Sequence, residues 1–421
     1  MTLESDDVSV SETVEVTGHL MDSGILSRIL DDIREYGGDW VITKIDVGHE
    51  AGDMSTATID LEAEDDESLQ RLLMRLQTRG VNQVHPGEAT IAQADRDGVF
   101  PDGFYSTTNL ATKVRLQGRW LAVENPEMDC GLVVDLDDAG APVRIVTLPM
   151  SDVRNGMWVV TGAAGIRVDI PAAEKEADAF GFMESDVSSE KPQAVLVRQV
   201  ADGMREAKAI GKKVLWVGGP GVVHTGASPA MIAMVEAGFV DVLFAGNALA
   251  THDIESSLYG TSLGVDLSHG RGVEHGHEHH IRALNTIRKE GSIKAAVDNG
   301  VLTGGIMHAL VRHEKDFVLV GSVRDDGPLP DVYTDVIEGQ RAMRAKLTDV
   351  GFCLMVATML HSVATGNILP ATIPLVCVDI NPATVTKLAD RGSSQARGIV
   401  TDVGLFLEQL ARELVPDYTR P

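Results

Sequence analysis

Hydrophobic positions along the 421-residue chain change their period from region to region. From about Glu12 to Ala92, runs of period two alternate with runs of helical spacing. Val14-Glu15-Val16, Trp40-Val41-Ile42 and Ala57-Thr58-Ile59-Asp60-Leu61 predict strands. Ile25, Ile29 and Ile33 predict a helix stopping at Gly37-Gly38, and Leu69, Leu72, Leu73 and Leu76 predict a second ending at Gly80. That order is a small α+β sandwich of ferredoxin-like type, assigned to residues 1–100. Short β runs at Lys113–Leu116, Leu132–Val134, Val143–Val146 and Trp158–Val160 then predict an all-β middle module, 101–185.

Past the polar stretch Ser185–Lys191, longer apolar runs alternate with helical stripes. Strands are expected at Lys213–Val217, Val240–Ala245, Phe317–Val320, Cys353–Ala357 and Leu375–Val378, with helices at Ala194–Ile210 and Pro229–Ala237 and from Ile281 and Ile293. The alternation predicts a Rossmann-like, doubly wound parallel sheet over 186–421. Ligands of such sheets sit beyond the carboxyl ends of the strands, so those ends are the place to search.

Lys213–Val217 runs into Gly218-Gly219-Pro220-Gly221, either a tight turn or a bare backbone for a phosphate; His224 stands where G-x-G-x-x-G needs its last glycine. Val240–Ala245 delivers Gly246, Asn247 and Ala248 ahead of a helix expected near His252-Asp253. The amide either orients a flat ring or caps the helix. Leu375–Val378 ends in Asp379, where a Rossmann acid accepts ribose hydroxyls and favours NAD over its phosphorylated form. Thr358–His361 and Asp402-Val403 follow two further strand ends. Arg324-Asp325-Asp326-Gly327-Pro328-Leu329-Pro330-Asp331 gathers three acids and an arginine in a proline-stiffened loop. His275, His277, His279 and His280 lie ahead of the Ile281 helix without H-E-x-x-H spacing; pocket-lining imidazoles are expected there and no metal. The loop Tyr105–Asn109 reads either as a self-capping turn or as a substrate contact.

Charge narrows the function. Lys+Arg total 36, only 12 of them Lys, against 62 Asp+Glu, a formal charge of −26 that repels nucleic acid and anionic membranes. A solvated, salt-adapted coat accounts for most of it, while a few acids, Asp325 and Asp331 first, suit a cationic ligand. Cys130, Cys353 and Cys377 form no C-x-x-C pair, and Met1–Val10 has no signal-peptide order. The expectation is a soluble cytoplasmic protein and a homo-oligomer.

Together, Gly103-Phe104-Tyr105-Ser106-Thr107-Thr108-Asn109, Glu127-Met128-Asp129-Cys130, Ser188–Pro192, Val223-His224-Thr225-Gly226, Phe244–Ala250, Gly276-His277-Glu278-His279-His280, Arg324–Asp331 and Val378–Pro382 resemble the archaeal-type ornithine cyclodeaminase family, also named for a LOR/SDH conserved region. The resemblance covers most of the chain. It implies conversion of L-ornithine to L-proline and ammonia with tightly held NAD. It also implies cofactor contacts at Asn247, Ala248, Asp326, Thr358, Met359, Leu360, His361, Asp379, Asp402 and Val403. Larger relatives carry an N-terminal arginine-degrading module for which this chain has no room, so ornithine rather than arginine is the expected substrate.

Residue chemistry nominates Asp325 and Asp331 for amine binding or proton transfer, His279 or His280 as an alternate base, and Arg324 as a carboxylate clamp. Two rivals stay open: a net NAD-dependent dehydrogenase of saccharopine type, and a non-catalytic NAD-sensing regulator.

Overall fold

In a computed structural model, which describes residues 10–18, 20, 24–48, 53–169, 187–188, 193–262, 265–266, 278–325, 327–389 and 396–420, the chain forms two compact units. One comprises Met1–Met183 with Asn367–Thr372, the other Glu184–Gly366 with Ile373–Pro421. Among the described residues no helix is long and apolar enough to cross a membrane.

In the first unit, the period-two runs become the antiparallel strands Val10–Gly18, Asp39–Asp46, Ser55–Ala63 and Asn82–Gln83. Their order, Asp39–Asp46, Ser55–Ala63, Val10–Gly18, Asn82–Gln83, is the ferredoxin-like one. Helices Ile25–Glu35 and Asp66–Gln77 bury Ile29, Ile33, Leu69, Leu72 and Leu76 against Val14, Val16, Ile59 and Leu61. Burying a leucine or isoleucine contributes roughly 1.5–3 kcal/mol, so this apolar face rather than helix propensity holds the two helices.

A seven-stranded sheet follows, in the order Ile166–Asp169, Ala111–Leu116, Arg119–Glu124, Pro142–Leu148, Gly131–Leu136, Trp158–Thr161, Thr90–Gln93. Arg119–Glu124 and two short strands, Thr90–Gln93 and Ile166–Asp169, were not among the runs read from the pattern. Arg119–Glu124 leaves Ala111–Leu116 through Gln117-Gly118, both at positive φ (51° and 77°), a two-residue hairpin turn without the usual Asn or Asp signal. The polar loop ties backbone to backbone within this unit. Thr107 Oγ1 donates to the Glu127 carbonyl (2.5 Å) and accepts from the Cys130 amide (3.0 Å), while Asn109 Nδ2 donates to the Leu369 carbonyl (3.1 Å). Only the Leu110 amide, which donates to Thr108 Oγ1 (3.3 Å), is capped locally; Thr107 and Asn109 instead bind backbone distant in sequence, so the loop is not simply the self-capping turn of the sequence reading.

Among the described residues, the main sheet of the second unit has eight strands, β1 (Val187–Ser188), β2 (Lys213–Gly218), β3 (Val242–Gly246), β4 (Asp316–Val320), β5 (Val332–Tyr333), β6 (Val350–Val356), β7 (Leu375–Asp379) and β8 (Ala396–Val400). Their order is β1-β8-β7-β6-β2-β3-β4-β5, and every neighbouring pair is parallel. Read from β4 to β8, the six inner strands follow the Rossmann order 3-2-1-4-5-6, with the switch point between β2 and β6. A parallel sheet is covered on both faces, which is why its strands are continuous apolar runs. Val214, Trp216, Leu354, Val356 and Val378 all lie in its main core, packed with residues of Gln193–Ala209 and Val403–Leu414. The free cysteines Cys130, Cys353 and Cys377 are buried.

Candidate functional site at the switch point

At the switch point, β2 runs into Gly218-Gly219-Pro220-Gly221 and β6 into Ala357-Thr358. The Gly219 amide donates to the Val356 carbonyl (2.9 Å). A Cβ on Gly219 would lie 1.8 Å from the Ala357 carbonyl oxygen, and one on Gly221 would lie 2.9 Å from the Ala357 Cβ. These glycines therefore let two strand ends close on each other. Ala357 takes a positive φ of 54°, and the chain then enters helix Leu360–Ile368. The first N–H groups of a helix lack intrahelical acceptors and favour an anion. Met359 and Leu360 stand exposed beside them.

β6, this helix and β7 form a βαβ unit whose second strand ends in Asp379. That carboxylate is 8% exposed; its Oδ1 accepts from the Asn381 amide (2.8 Å), and the next residue, Ile380, is 69% exposed. A buried acid beside an exposed apolar side chain, about 20 residues past the first turn, is the ribose-and-base arrangement of a dinucleotide site. The departure is in the turn, where Ala357-Thr358-Met359-Leu360-His361 replaces the glycines. Past β8, Asp402 caps helix Val403–Leu414 by accepting from the Leu405 amide (2.7 Å), and the Val403 side chain is buried.

Across the crevice, helix Asn247–Tyr259 begins directly at Asn247, not near His252-Asp253 as the pattern suggested. Gly246 is extended (φ −90°, ψ 168°), so the helix starts at the strand end and carries Asn247 into the interior, 3% exposed. Its Oδ1 accepts from the Leu329 amide (3.0 Å) and the Thr251 hydroxyl (3.3 Å); Ala248 is half-buried. A Cβ on Gly246 would lie 3.0 Å from His361 Nε2, so the His361 ring reaches over the end of β3. Burial lowers the His361 pKa and the nearby Asp325 charge opposes the shift.

The acidic loop separates into parts. Asp325 accepts from the Ser322 amide (2.8 Å) and faces His361, whereas Arg324 is exposed. Asp331 Oδ2 accepts from the Ile293 amide (2.8 Å) at the start of helix Ile293–Asp298, and burial raises its pKa. Asp326 lies outside the described residues, as do His275 and His277. The structure thus brings Asn247, His361 and Asp325 to one rim and places Asp331 under a helix end.

His279 and His280 sit in the first turn of helix His279–Glu290 rather than ahead of a helix at Ile281. They join side chains that the sequence did not single out as a group. His252, 5% exposed, pairs its Nδ1 with Glu255 Oε2 (3.1 Å), and Glu255 is fully buried. Thr261 Oγ1 lies 2.9 Å from both Glu255 Oε1 and His279 Nδ1. The His252 ring meets those of His224 and His280 at centroid distances of 4.9 and 5.0 Å. His252, Glu255 and His280 offer polar atoms within 4.8 Å of one another, compact enough to close on a cation. Burial, then the neighbouring His252, lowers the His224 pKa. Next along the helix, Asp253 accepts from the Ile306 and Met307 amides (2.7 and 2.8 Å). The spacing of His252 and Glu255, three apart on one helix, was the available signal.

Strand order, switch point and the acid of β7 define a protein of the Rossmann class. The chain belongs to the ArgZ-like family: the model of the C-terminal Rossmann fold of ArgZ-like arginine dihydrolases matches residues 198–410, that of the first C-terminal region 111–197, and the LOR/SDH bifunctional enzyme conserved region 11–110. It is 50% identical over 402 residues to the ornithine cyclodeaminase of Methanothermobacter thermautotrophicus, covering 95% of this chain and 97% of that one. Among solved structures, apo ArgZ, a cyanobacterial arginine dihydrolase, matches with a TM-score of 0.83 at 33% identity, over 96% of this chain and 58% of that one. The ternary complex of AgrE with ornithine and NAD+ matches with a TM-score of 0.52 at 37% identity, over 98% of this chain and 59% of that one.

Proposed function

We propose that the chain is an ornithine cyclodeaminase, converting L-ornithine to L-proline and ammonia with bound NAD. The observation that carries this is Asp379 at the end of the β6–helix–β7 unit, beside the switch point, in a chain half identical over nearly its whole length to an ornithine cyclodeaminase. The residues present fit a dinucleotide. Asp379 receives ribose hydroxyls, the exposed Ile380 offers an apolar surface to the base, and the start of helix Leu360–Ile368 faces the phosphates. Thr358, Met359, Leu360 and His361 supply the wall of that slot, with Asp402 and Val403 at the next strand end and Asn247 and Ala248 opposite.

Bound NAD would supply reversible hydride transfer at the substrate Cα, with no net redox change. The chain's own residues bind the amino acid, deprotonate its amines and exclude water. Asp325, beside His361, is the rim carboxylate placed for an ammonium group; Arg324, exposed at the loop tip, offers a partner for the substrate carboxylate.

The test is to supply L-ornithine with only trace NAD. Proline and ammonia in equal amounts without accumulating NADH are expected. Stoichiometric NADH identifies a net dehydrogenase instead, and cofactor binding without turnover identifies a regulator.

A further inference from the structure

We propose that the cleft beside helix Val403–Leu414 is a second small-molecule site, one that takes a free α-amino acid with a neutral side chain. It stands on the geometry of that cleft and not on the cyclodeaminase reading. The helix turns Glu408, Gln409 and Arg412 towards the cleft, and Thr225, Asp402 and Arg420 complete its walls around a volume of about 310 Å³. Small-molecule pockets span roughly 300–1,000 Å³, so this one has room for an amino acid and too little for a dinucleotide. Neither residues 357–361 nor Asp379 or Ile380 line it. The cleft is therefore separate from the slot assigned to NAD and meets it only at Asp402.

Its walls hold acceptors that the fold leaves unused. Glu408 is 6% exposed; its Oε1 accepts from the Tyr418 hydroxyl (3.1 Å), while its Oε2 has no hydrogen-bond partner. Gln409 Oε1 is likewise buried without a partner. A buried oxygen without a donor is unfavourable, so the pair selects a ligand rich in N–H groups, and a primary ammonium has three. Thr225 Oγ1 adds a further acceptor, because its own proton goes to the Gly221 carbonyl (2.9 Å).

Guanidinium groups flank the same carboxylate. Arg420 Nε lies 3.7 Å from Glu408 Oε1 and Arg412 Nη2 4.0 Å from Oε2, beyond hydrogen-bond reach, and both arginine side chains are more than half exposed. Their forks can thus close on a second carboxylate. With two acids, Asp402 and Glu408, against these two arginines, the walls carry no net charge. A lone anion would meet both carboxylates and a lone cation both guanidiniums, whereas an amino-acid zwitterion answers each sign with its opposite. A neutral side chain keeps that balance. Leu405, half exposed at the rim, gives it an apolar surface.

The test titrates the full-length chain, saturated with NAD, with L-alanine, L-valine and L-leucine by calorimetry. At least one should bind, and the amine lacking its carboxyl and the acid lacking its amine should each bind at least about 10-fold more weakly. Glu408→Gln, Arg412→Ala and Arg420→Ala should each weaken the amino acid by at least about 10-fold as well. Should the buried Glu408 variant fail to fold, the two exposed arginine variants carry the expectation. No binding by any of the three, binding unchanged in both arginine variants, an amine or acid as tight as its parent amino acid, or displacement of NAD each overturns the inference. A chain that takes up no NAD would remove the proposed function alone, and the same titration without cofactor then decides this one.

Discussion

Beside the shared switch point, the two halves of the parallel sheet differ in what they expose. Where β6 and β7 end, Met359, Leu360 and Ile380 lie open to solvent beside Asp379. Where β3 ends, the helix that follows buries polar groups instead: Asn247, His252, Asp253 and Glu255 are each at most 5% exposed. The glycine loop belongs to the half with buried polar groups, and the space beside its glycines is taken by the Ala357 backbone at Gly219, the Ala357 side chain at Gly221 and leucine side chains at Gly218. A glycine run at a strand end thus marks close approach of something, and here that something is protein. The dinucleotide signature lies instead in the buried acid and the apolar rim of the opposite half.

The most damaging way to break this contrast is Gly219→Ala. With a Cβ 1.8 Å from the Ala357 carbonyl, neither strand end can keep its place, and the cost should reach about 4 kcal/mol. Chemical denaturation should show that loss, with NAD affinity falling because the Ala357–His361 turn moves. A variant of normal stability would mean that the two loops are not locked together.

Asp379→Ala attacks the other half and leaves the packing at the switch point alone. Losing charge-assisted hydrogen bonds to ribose should weaken NAD by about 1.5–3 kcal/mol, roughly 10- to 150-fold. Preference for NAD over its 2′-phosphorylated form should shrink as well. Calorimetric titration with both cofactors reads the two effects, and unchanged affinities would move the ribose elsewhere.

What was legible in the sequence follows from the same contrast. β2, β4, β6 and β7 were readable because buried parallel strands are unbroken apolar runs, and Asp379 was readable because it terminates one. Helix Asn247–Tyr259 started five residues earlier than its pattern suggested, because it is buried nearly all round and mixes Leu249, Ala250 and Ile254 with buried Asn, Thr, His, Asp and Glu, which blurs the hydrophobic stripe. The pairing of His252 and Glu255 with Thr261, His279 and His280 needed the tertiary fold, since the chain folds back to bring helix His279–Glu290 alongside. Asp331 looked like a catalytic acid by composition, and the fold shows one of its oxygens engaged with a helix N-terminus.

Asp253 sharpens the buried half. Burial pushes its pKa up to about 6, against two amide donors that pull the other way. A raised acid binds its proton more tightly when folded, so its contribution to stability is full below the unfolded value near 4 and declines as pH rises to about 6. Asp253→Asn removes that titration and cannot accept from both amides without turning its own NH2 towards a donor. It should cost about 1–2 kcal/mol, with the cost larger at pH 5 than at pH 8. Urea unfolding at the two pH values checks the sign, and a cost that grows with pH would refute the raised pKa.

Asp402 separates cap from cofactor contact with the smallest effect. Its carboxylate accepts from the Leu405 amide, so Asp402→Ala should destabilise the second unit by about 1 kcal/mol, lowering its melting temperature by about 2–4 °C. Asp402→Ser restores an acceptor at the N-cap without the charge. If capping is the whole role, the serine variant recovers both stability and NAD affinity. Should the carboxylate also face the cofactor from the end of β8, stability returns while NAD stays weakened in both variants. That split would extend the cofactor's side of the contrast from β6 and β7 to β8, and recovery of both properties would confine it to the first two strands.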